Sequence, residues 1–192
     1  MLIYLHGFNS SPGSHKAQVL KRYMETHDLG DQYCCPALRH MPARAIAEVE
    51  TAIAKYPRES ITLIGSSLGG FYATYLAERH GLRAVLINPA VYPHQGLRAF
   101  LGVLRNLYTD EEYELTEEHL RQMQELYRSD IDARRYLLLV ETLDEVLDYR
   151  EAVSKYAGSR QVVIEGGDHS LKSFPDHIPL ILEFASLSPT ES

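Results

Sequence analysis

The sequence contains only two cysteines, and they are adjacent, as Cys34 and Cys35. Such a pair does not supply the spaced cysteines of a disulfide framework, and it favours a reducing, cytoplasmic location. The sequence also lacks any apolar run near the ~18 residues of a membrane helix, so we expect no membrane span. Its first residues, Met-Leu-Ile-Tyr-Leu-His, lack the basic start and the cleavage site of a signal peptide, and we expect no leader.

Positive charge is scarce as well. The 19 Lys and Arg residues against 26 Asp and Glu residues give a formal net charge of −7, and no basic cluster offsets it. This balance argues against a nucleic-acid partner. The chain has no H-E-x-x-H, no spaced Cys/His set and neither of the glycine-rich nucleotide motifs G-x-G-x-x-G and G-x-x-x-x-G-K-[ST]. The sequence therefore predicts no metal and no cofactor.

Short apolar runs alternate with amphipathic segments along the chain. Continuous runs such as Ala84-Val85-Leu86-Ile87 are typical of parallel strands that are buried on both faces. The predicted strands are 1–5, 32–37, 61–65, 84–88, 136–141 and 161–165. The predicted helices are about 15–27, Pro42 through Tyr56, Ser67 to about His80, 147–157 and 176–187. Length and alternation together predict a single domain over 1–192, built on a doubly wound parallel sheet.

One strand is followed directly by the pattern G-x-S-x-G, at Gly65-Ser66-Ser67-Leu68-Gly69. A serine on a tight turn between a strand and a helix has its hydroxyl exposed at the end of a sheet. The turn strains a residue that has a Cβ, and small neighbours allow the strand and the helix to cross closely. The pattern predicts Ser67 as a nucleophile.

A serine nucleophile needs a histidine base, and His169 is the best candidate among nine histidines. It directly follows the last predicted strand, in Gly166-Gly167-Asp168-His169, where the glycines allow the loop to bend. Catalytic groups on a parallel sheet lie beyond the carboxyl ends of strands. His177 lies inside the terminal helix, where a solvated surface role is expected.

The base in turn needs an acid, which should come between the serine and the histidine in the chain. Asp144 follows the strand that ends at Val140 by a short loop, and we expect it to be the acid. Asp148 opens the next helix, where a negative charge is favourable in any case. Glu141 at the strand end and Asp168 beside His169 are weaker rivals.

Stabilisation of a reacting carbonyl requires an oxyanion hole. The backbone N–H of Leu68, at the start of the helix after Ser67, is one expected donor. The backbone N–H of Phe8 is the other, because Leu5-His6-Gly7-Phe8-Asn9 forms the loop after the first strand. We expect a structural role for His6 in that loop.

The connection between Asn88 and Tyr136 is far longer than the others, and an insertion of that size is usually a functional lid. We expect the lid to cover about 91–133, with helices over about 96–107 and 116–129. Part of the apolar face of each of these two helices is expected to pack against the other helix and against the domain. The first carries an apolar stripe at helical spacing: Leu97, Phe100, Leu101, Leu104, Leu107 and Tyr108. The predicted contacts with a neutral, apolar acyl group are Leu97, Phe100, Leu101 and Leu104.

These motifs together resemble the small α/β-hydrolase esterases of the YqiA-like family. The segments that carry the resemblance are His6-Gly7-Phe8-Asn9-Ser10-Ser11-Pro12, Gly65-Ser66-Ser67-Leu68-Gly69-Gly70, Asn88-Pro89-Ala90, Asp144-Glu145-Val146-Leu147-Asp148-Tyr149 and Gly166-Gly167-Asp168-His169. The resemblance implies a three-layer α/β-hydrolase fold with a strand order of 2-1-3-4-5-6 and without the first two strands of larger members. It also implies that Ser67 is the nucleophile, Asp144 the acid and His169 the base. Phe8 and Leu68 are then the oxyanion donors. Leu143 departs from the pattern, since many relatives have glycine before the acid.

The sequence thus predicts a cytoplasmic serine hydrolase of small carboxylic esters or acyl thioesters, acting as a monomer or small homo-oligomer. An acyltransferase or a peptidase would use the same machinery. A binding module that keeps the fold without catalysis is the alternative of another class. An intact nucleophile, base and acid argue against the binding module, because binding alone does not require all three.

Overall fold

A computed structural model of the protein describes residues 1–106 and 108–188. Its strands are β1 (Leu2–Leu5), β2 (Tyr33–Cys34), β3 (Thr62–Ser66), β4 (Arg83–Ile87), β5 (Gly102–Arg105), β6 (Glu112–Leu115), β7 (Tyr136–Glu141) and β8 (Arg160–Ile164). Six of them pair in parallel, in the order β2-β1-β3-β4-β7-β8, and β5 pairs with β6 separately. Counted within the main sheet, this order is the predicted 2-1-3-4-5-6, which is therefore confirmed.

The helices are α1 (His15–Thr26), α2 (Pro42–Ile53), α3 (Leu68–His80), α4 (Pro93–Gly96), α5 (Glu117–Leu126), α6 (Tyr149–Lys155) and α7 (Phe174–Phe184). Alternate side chains of each strand enter two apolar cores on opposite faces of the sheet. Ile3 and Leu63 pack in the core under α2, α3 and α6. Leu2 and Ile64 pack in the core under α1 and α7. The predicted three-layer arrangement is thus confirmed, and no helix in the described part of the chain is long and apolar enough to cross a bilayer.

The prediction of one helix over 96–107 was wrong. Helix α4 ends at Gly96, a short 3-10 turn covers Leu97–Phe100, and β5 then begins an antiparallel hairpin with β6. Gly102 has a φ of +124°, which no α-helix contains. Leu107 lies outside the described residues. The second predicted lid helix, 116–129, is present as α5, three residues shorter at its end.

The hairpin docks on the loop that follows β1. The hydroxyl of Tyr113 donates a hydrogen bond to Asn9 Oδ1 at 2.5 Å, and Asn106 Nδ2 donates to the carbonyl of Ser10 at 3.0 Å. Behind the hairpin, His119 of α5 lies 3.0 Å from His40, measured from Nε2 to Nδ1. The insertion is therefore fixed to the main domain through polar side chains as well as through apolar packing.

The imidazole of His119 has a defined hydrogen-bonding pattern. Its Nδ1 accepts a hydrogen bond from the backbone N–H of Thr116 at 3.1 Å, so the proton lies on Nε2, which donates to His40. Burial lowers the pKa of His119, and the positive charge that His40 can carry lowers it further. The folded protein therefore favours the neutral ring.

We predict that Gly69→Ala destabilises the protein by at least about 1–3 kcal/mol, the usual cost of overpacking. A Cβ at Gly69 would overlap the backbone carbonyl of Leu5 and approach the carbonyl oxygen of His6 to 2.7 Å. Gly96→Ala is the matched control, because a Cβ there meets no atom within 4 Å. Urea denaturation measures both, and equal free energies of unfolding for the two variants would contradict the predicted crowding.

We predict that His119 makes the protein less stable in mild acid. Because folding lowers its pKa, the unfolded chain binds more protons below about pH 6.5, and the free energy of unfolding falls as the pH decreases. Denaturation of the wild type and His119→Gln from about pH 8 to about pH 5 tests this. The variant should lose less stability over that interval, and an identical loss would refute the assignment.

Candidate active site

Ser67 occupies a strained turn between β3 and α3. Its φ of 54° and ψ of −121° lie in a region that L-residues rarely adopt. The turn is held by hydrogen bonds from the N–H of Ser67 to Ile87 O at 3.0 Å and from the N–H of Ala90 to Ser67 O at 3.1 Å. A Cβ on Gly65 would overlap the backbone of Gly69, so the close crossing expected between strand and helix is present. This strained strand–turn–helix geometry is the one that the sequence pattern predicts for an elbow.

Asp144 and His169 meet beyond the carboxyl ends of β7 and β8. His169 Nδ1 lies 2.7 Å from Asp144 Oδ2. The Asp144 side chain is only 2% exposed, and its Oδ1 accepts the N–H groups of Val146 and Leu147 at 2.8 Å each. Burial raises the pKa of Asp144, but the bonds from His169, Leu147 and Val146 outweigh burial and hold the pKa below its ordinary value. Asp144 is therefore held as a carboxylate.

Ser67 and His169 line the same cavity, of about 260 Å³. Since Nδ1 of His169 faces Asp144, the other ring nitrogen, Nε2, is left for a partner on the opposite side of the ring. The His169 side chain is 22% exposed, so solvent and small molecules reach it. The structure thus joins Asp144 and His169 directly and places Ser67 on the same cavity as His169, with each side chain coming from a different loop.

The rival acids have other partners. Asp148 caps α6 through the N–H of Arg150 and pairs with the Arg150 guanidinium. Asp168 pairs with Lys172. Glu141 is buried, and its two oxygens accept the N–H of Asp168 and the hydroxyl of Ser173, at 2.8 and 2.9 Å. Of these carboxylates, Asp144 is therefore the one that contacts the His169 imidazole.

Two residues that brace the His169 loop had no assigned role in the sequence prediction. Asn88, buried at the end of β4 with a φ of 38°, donates from Nδ2 to the carbonyls of Asp168 and His169 at 3.3 and 3.2 Å. Its Oδ1 accepts the N–H of Glu141 at 3.0 Å. Glu141 in turn holds the N–H of Asp168. The signals in the sequence were the Asn88-Pro89-Ala90 segment of the family resemblance and a carboxylate at the end of a predicted strand.

Phe8 and Leu68 flank Ser67. Both line a second, larger cavity of about 730 Å³ together with Ser67. Gly7 brings its loop close to the elbow, since a Cβ there would lie 3.3 Å from Ser67 Cβ. His6 is buried, its Nε2 accepts the N–H of Leu38 at 3.0 Å, and burial lowers its pKa despite a backbone bond to Gly7. His6 is therefore placed to shape the loop.

Of the four residues predicted to contact the acyl group, Leu97 and Phe100 line the larger cavity. The remaining apolar lining consists of Ala90, Val91, Tyr92, Pro93, Val146 and Leu147. Leu101 and Leu104, expected on the same stripe, are not among its lining residues, because the chain turns into the hairpin at Gly102 instead of continuing as a helix. Within the described residues, no group of three or more His, Cys, Asp and Glu side chains is arranged to hold a metal ion.

Solved structures share this fold. The alpha/beta hydrolase domain-containing protein 10 from mouse aligns over 95% of this chain and 87% of its own, with a TM-score of 0.70 at 14% identity. The esterase domain of a Rhodothermus marinus protein aligns over 94% and 83%, with a TM-score of 0.64 at 16% identity. At these identities the likeness shows the fold alone, and the fold is that of the α/β hydrolases.

Relatives in sequence give the family. A UPF0227 protein of Yersinia pseudotuberculosis serotype O:1b (strain IP 31758) is 26% identical over 190 residues, which are 97% of this chain and 99% of that protein. The family model described as "Uncharacterised protein family (UPF0227)" matches residues 1–186. This α/β-hydrolase-fold chain therefore belongs to the uncharacterised protein family UPF0227.

Proposed function

We propose that the protein is a serine hydrolase that cleaves carboxylic esters or acyl thioesters through Ser67, His169 and Asp144. The observation that carries the proposal is the 2.7 Å contact between His169 Nδ1 and the buried Asp144 carboxylate, with Ser67 on the same cavity as the ring. The motif resemblance to YqiA-like esterases and the esterase among the structural neighbours support the same reaction.

In the proposed mechanism, Ser67 Oγ attacks the substrate carbonyl and His169 takes the hydroxyl proton at Nε2. Asp144 holds the ring and stabilises the imidazolium that forms. His169 then gives the proton to the leaving oxygen or sulfur as its bond to the acyl carbon breaks. Water, activated by the same histidine, releases the acid from Ser67.

The N–H groups of Phe8 and Leu68 are the proposed oxyanion donors. Leu68 is the first residue of α3, where the N–H groups of a helix have no partner within the helix and the helix dipole favours negative charge. Phe8 is positioned by a loop that the hairpin holds through Asn9 and Ser10. We infer that docking of the insertion helps to fix one of the two donors.

The larger cavity is the proposed acyl site. Its apolar lining, including Leu97 and Phe100, suits a neutral acyl chain, with each buried methylene contributing about 0.8 kcal/mol. Cys34 and Cys35 are both free thiols, which suits the cytoplasmic location that forms part of the proposal.

The alternatives make different predictions. An acyltransferase would give faster acyl release with an added alcohol or amine than with water, and a peptidase would cleave peptide amides as well as esters. A binding module would hold a ligand without turning it over. The Asp144–His169 pair favours catalysis over binding, since binding an apolar ligand gains nothing from an oriented imidazole.

We predict that Ser67→Ala and His169→Ala each abolish hydrolysis of 4-nitrophenyl butyrate almost completely, while Asp144→Asn retains more of the activity. In a protease that uses the same three groups, losing the serine or histidine costs about 10⁶ in turnover and losing the acid about 10⁴. Asp148→Asn tests the rival acid and should keep far more activity than Asp144→Asn. Activity lost in Asp148→Asn and kept in Asp144→Asn would reassign the acid.

We predict that Phe100→Asp raises KM for hexanoate esters more than for acetate esters, because it places a charge on the apolar part of the larger cavity's lining. Val103→Asp is the matched control. Val103 is 69% exposed on the hairpin and does not line that cavity, so its variant should treat both esters as the wild type does. Equal changes for the two chain lengths in Phe100→Asp would show that the cavity does not bind the acyl group.

A further inference from the structure

Two cavities meet at the proposed nucleophile. Phe8 and Ser67 line both the larger cavity of about 730 Å³ and the smaller one of about 260 Å³. The other lining residues differ. The larger cavity extends under the loop after β4, and the smaller one lies between the loop after β1, the start of α1 and the His169 loop. An ester bound at Ser67 therefore has two separate spaces for its two halves.

The position of His169 decides which half of the ester lies in which cavity. In the proposed reaction the imidazole must deliver a proton to the leaving oxygen or sulfur, so the leaving group must lie within hydrogen-bond reach of the ring. His169 lines the smaller cavity and is not among the lining residues of the larger one. The leaving group consequently belongs in the smaller cavity, and the acyl group in the larger one.

The two cavities differ in charge. The described residues that line the smaller cavity include Lys16 but no Asp or Glu. The larger cavity carries Glu145, Asp148 and Glu151 beside its apolar lining, and its described lining residues include no Lys or Arg. An anionic group would therefore be attracted to the leaving-group side and repelled from the acyl side.

Lys16 is fixed at the wall of the smaller cavity. Its Nζ donates to the carbonyl of Ser170 at 2.7 Å, which leaves two N–H donors of the ammonium for a ligand. The nearby carboxylates do not take these donors: Asp144 is bonded to His169, Glu141 to Asp168 and Ser173, and Asp168 to Lys172. The polar wall also includes Asn9, His15 and the hydroxyl-bearing residues Ser10, Ser14, Ser66, Tyr108 and Ser170.

We infer that the smaller cavity is the leaving-group subsite of the proposed hydrolase, and that it takes an alcohol or thiol bearing a small anionic group, which Lys16 binds. The inference rests on the proposed function and adds the class of leaving group to it. In the reaction, the bond from Ser67 Oγ to the acyl carbon forms and the bond to the leaving atom breaks. The proton passes from Ser67 through His169 to the leaving atom, and water then splits the acyl-enzyme.

The test uses two butyrate esters that differ only in charge on the leaving phenol. One is the butyrate of 5-hydroxy-2-nitrobenzoic acid, and the other is the butyrate of the corresponding carboxamide. Release of the nitrophenolate gives kcat/KM for each with the full-length protein. The measured quantity is the ratio of carboxylate to carboxamide kcat/KM, in which any change common to both esters cancels.

Lys16→Gln should lower this ratio about tenfold, and Lys16→Arg should restore most of it. Lys21→Gln is the matched control. Lys21 lies on the same helix, is 50% exposed, pairs with Glu25 and does not line the cavity, so its variant should keep the ratio within about twofold. In the wild type alone, the ratio should fall as the salt concentration is raised, because the attraction is electrostatic.

An equal loss on both esters in Lys16→Gln would overturn the inference, since it would mean that Lys16 only supports the His169 loop through Ser170. An equal fall of the ratio in Lys21→Gln would overturn it too, by showing a diffuse field instead of a subsite. In both cases the wild type would still cleave the carboxamide ester, and the proposed function would stand. Failure of the wild type to cleave either ester would reject both proposals together.

Discussion

The contact of the backbone of α3 with β1 and β3 constrains the whole site. Gly69 lies against the carbonyls of Leu5 and His6, and Gly65 lies against Gly69, with no space for a side chain at either position. This crossing forces the turn at Ser67 into a positive φ. It also places the start of α3 beside the loop that carries Phe8, so the proposed nucleophile and both proposed oxyanion donors depend on one close approach.

The other half of the site depends on polar contacts between neighbouring strand ends. Asn88 joins the end of β4 to the end of β7 and to the His169 loop. Glu141 accepts a hydrogen bond from the backbone of the same loop. These buried groups are satisfied by one another, which avoids the cost of unpaired polar atoms and gives the loop one geometry. The Asp144–His169 contact is thus supported by a network that itself contains neither of the proposed catalytic side chains.

The main sheet was predictable because parallel strands buried on both faces give unbroken apolar runs. Five of the six predicted strands have four to six residues in the structure, whereas 32–37 became only the two-residue β2. Its order came from the family resemblance, since alternation alone allows several orders. The hairpin was not predicted because Leu97, Leu101 and Leu104 have a spacing that also fits a helix, while the φ of Gly102 is not visible in a sequence. Asn88 and Glu141 were not predicted to brace the His169 loop, and Lys16 was not predicted to contact it, because their partners lie far away in the chain, at Asp168, His169 and Ser170.

Covalent labelling tests the central claim most directly. A fluorophosphonate reacts with a serine only when a base activates its hydroxyl, and peptide mapping by mass spectrometry locates the adduct. The account predicts time-dependent, stoichiometric labelling of Ser67 in the wild type, with labelling strongly slowed in His169→Ala. No adduct at all, an adduct on another serine, or labelling of Ser67 at the same rate in His169→Ala would contradict it.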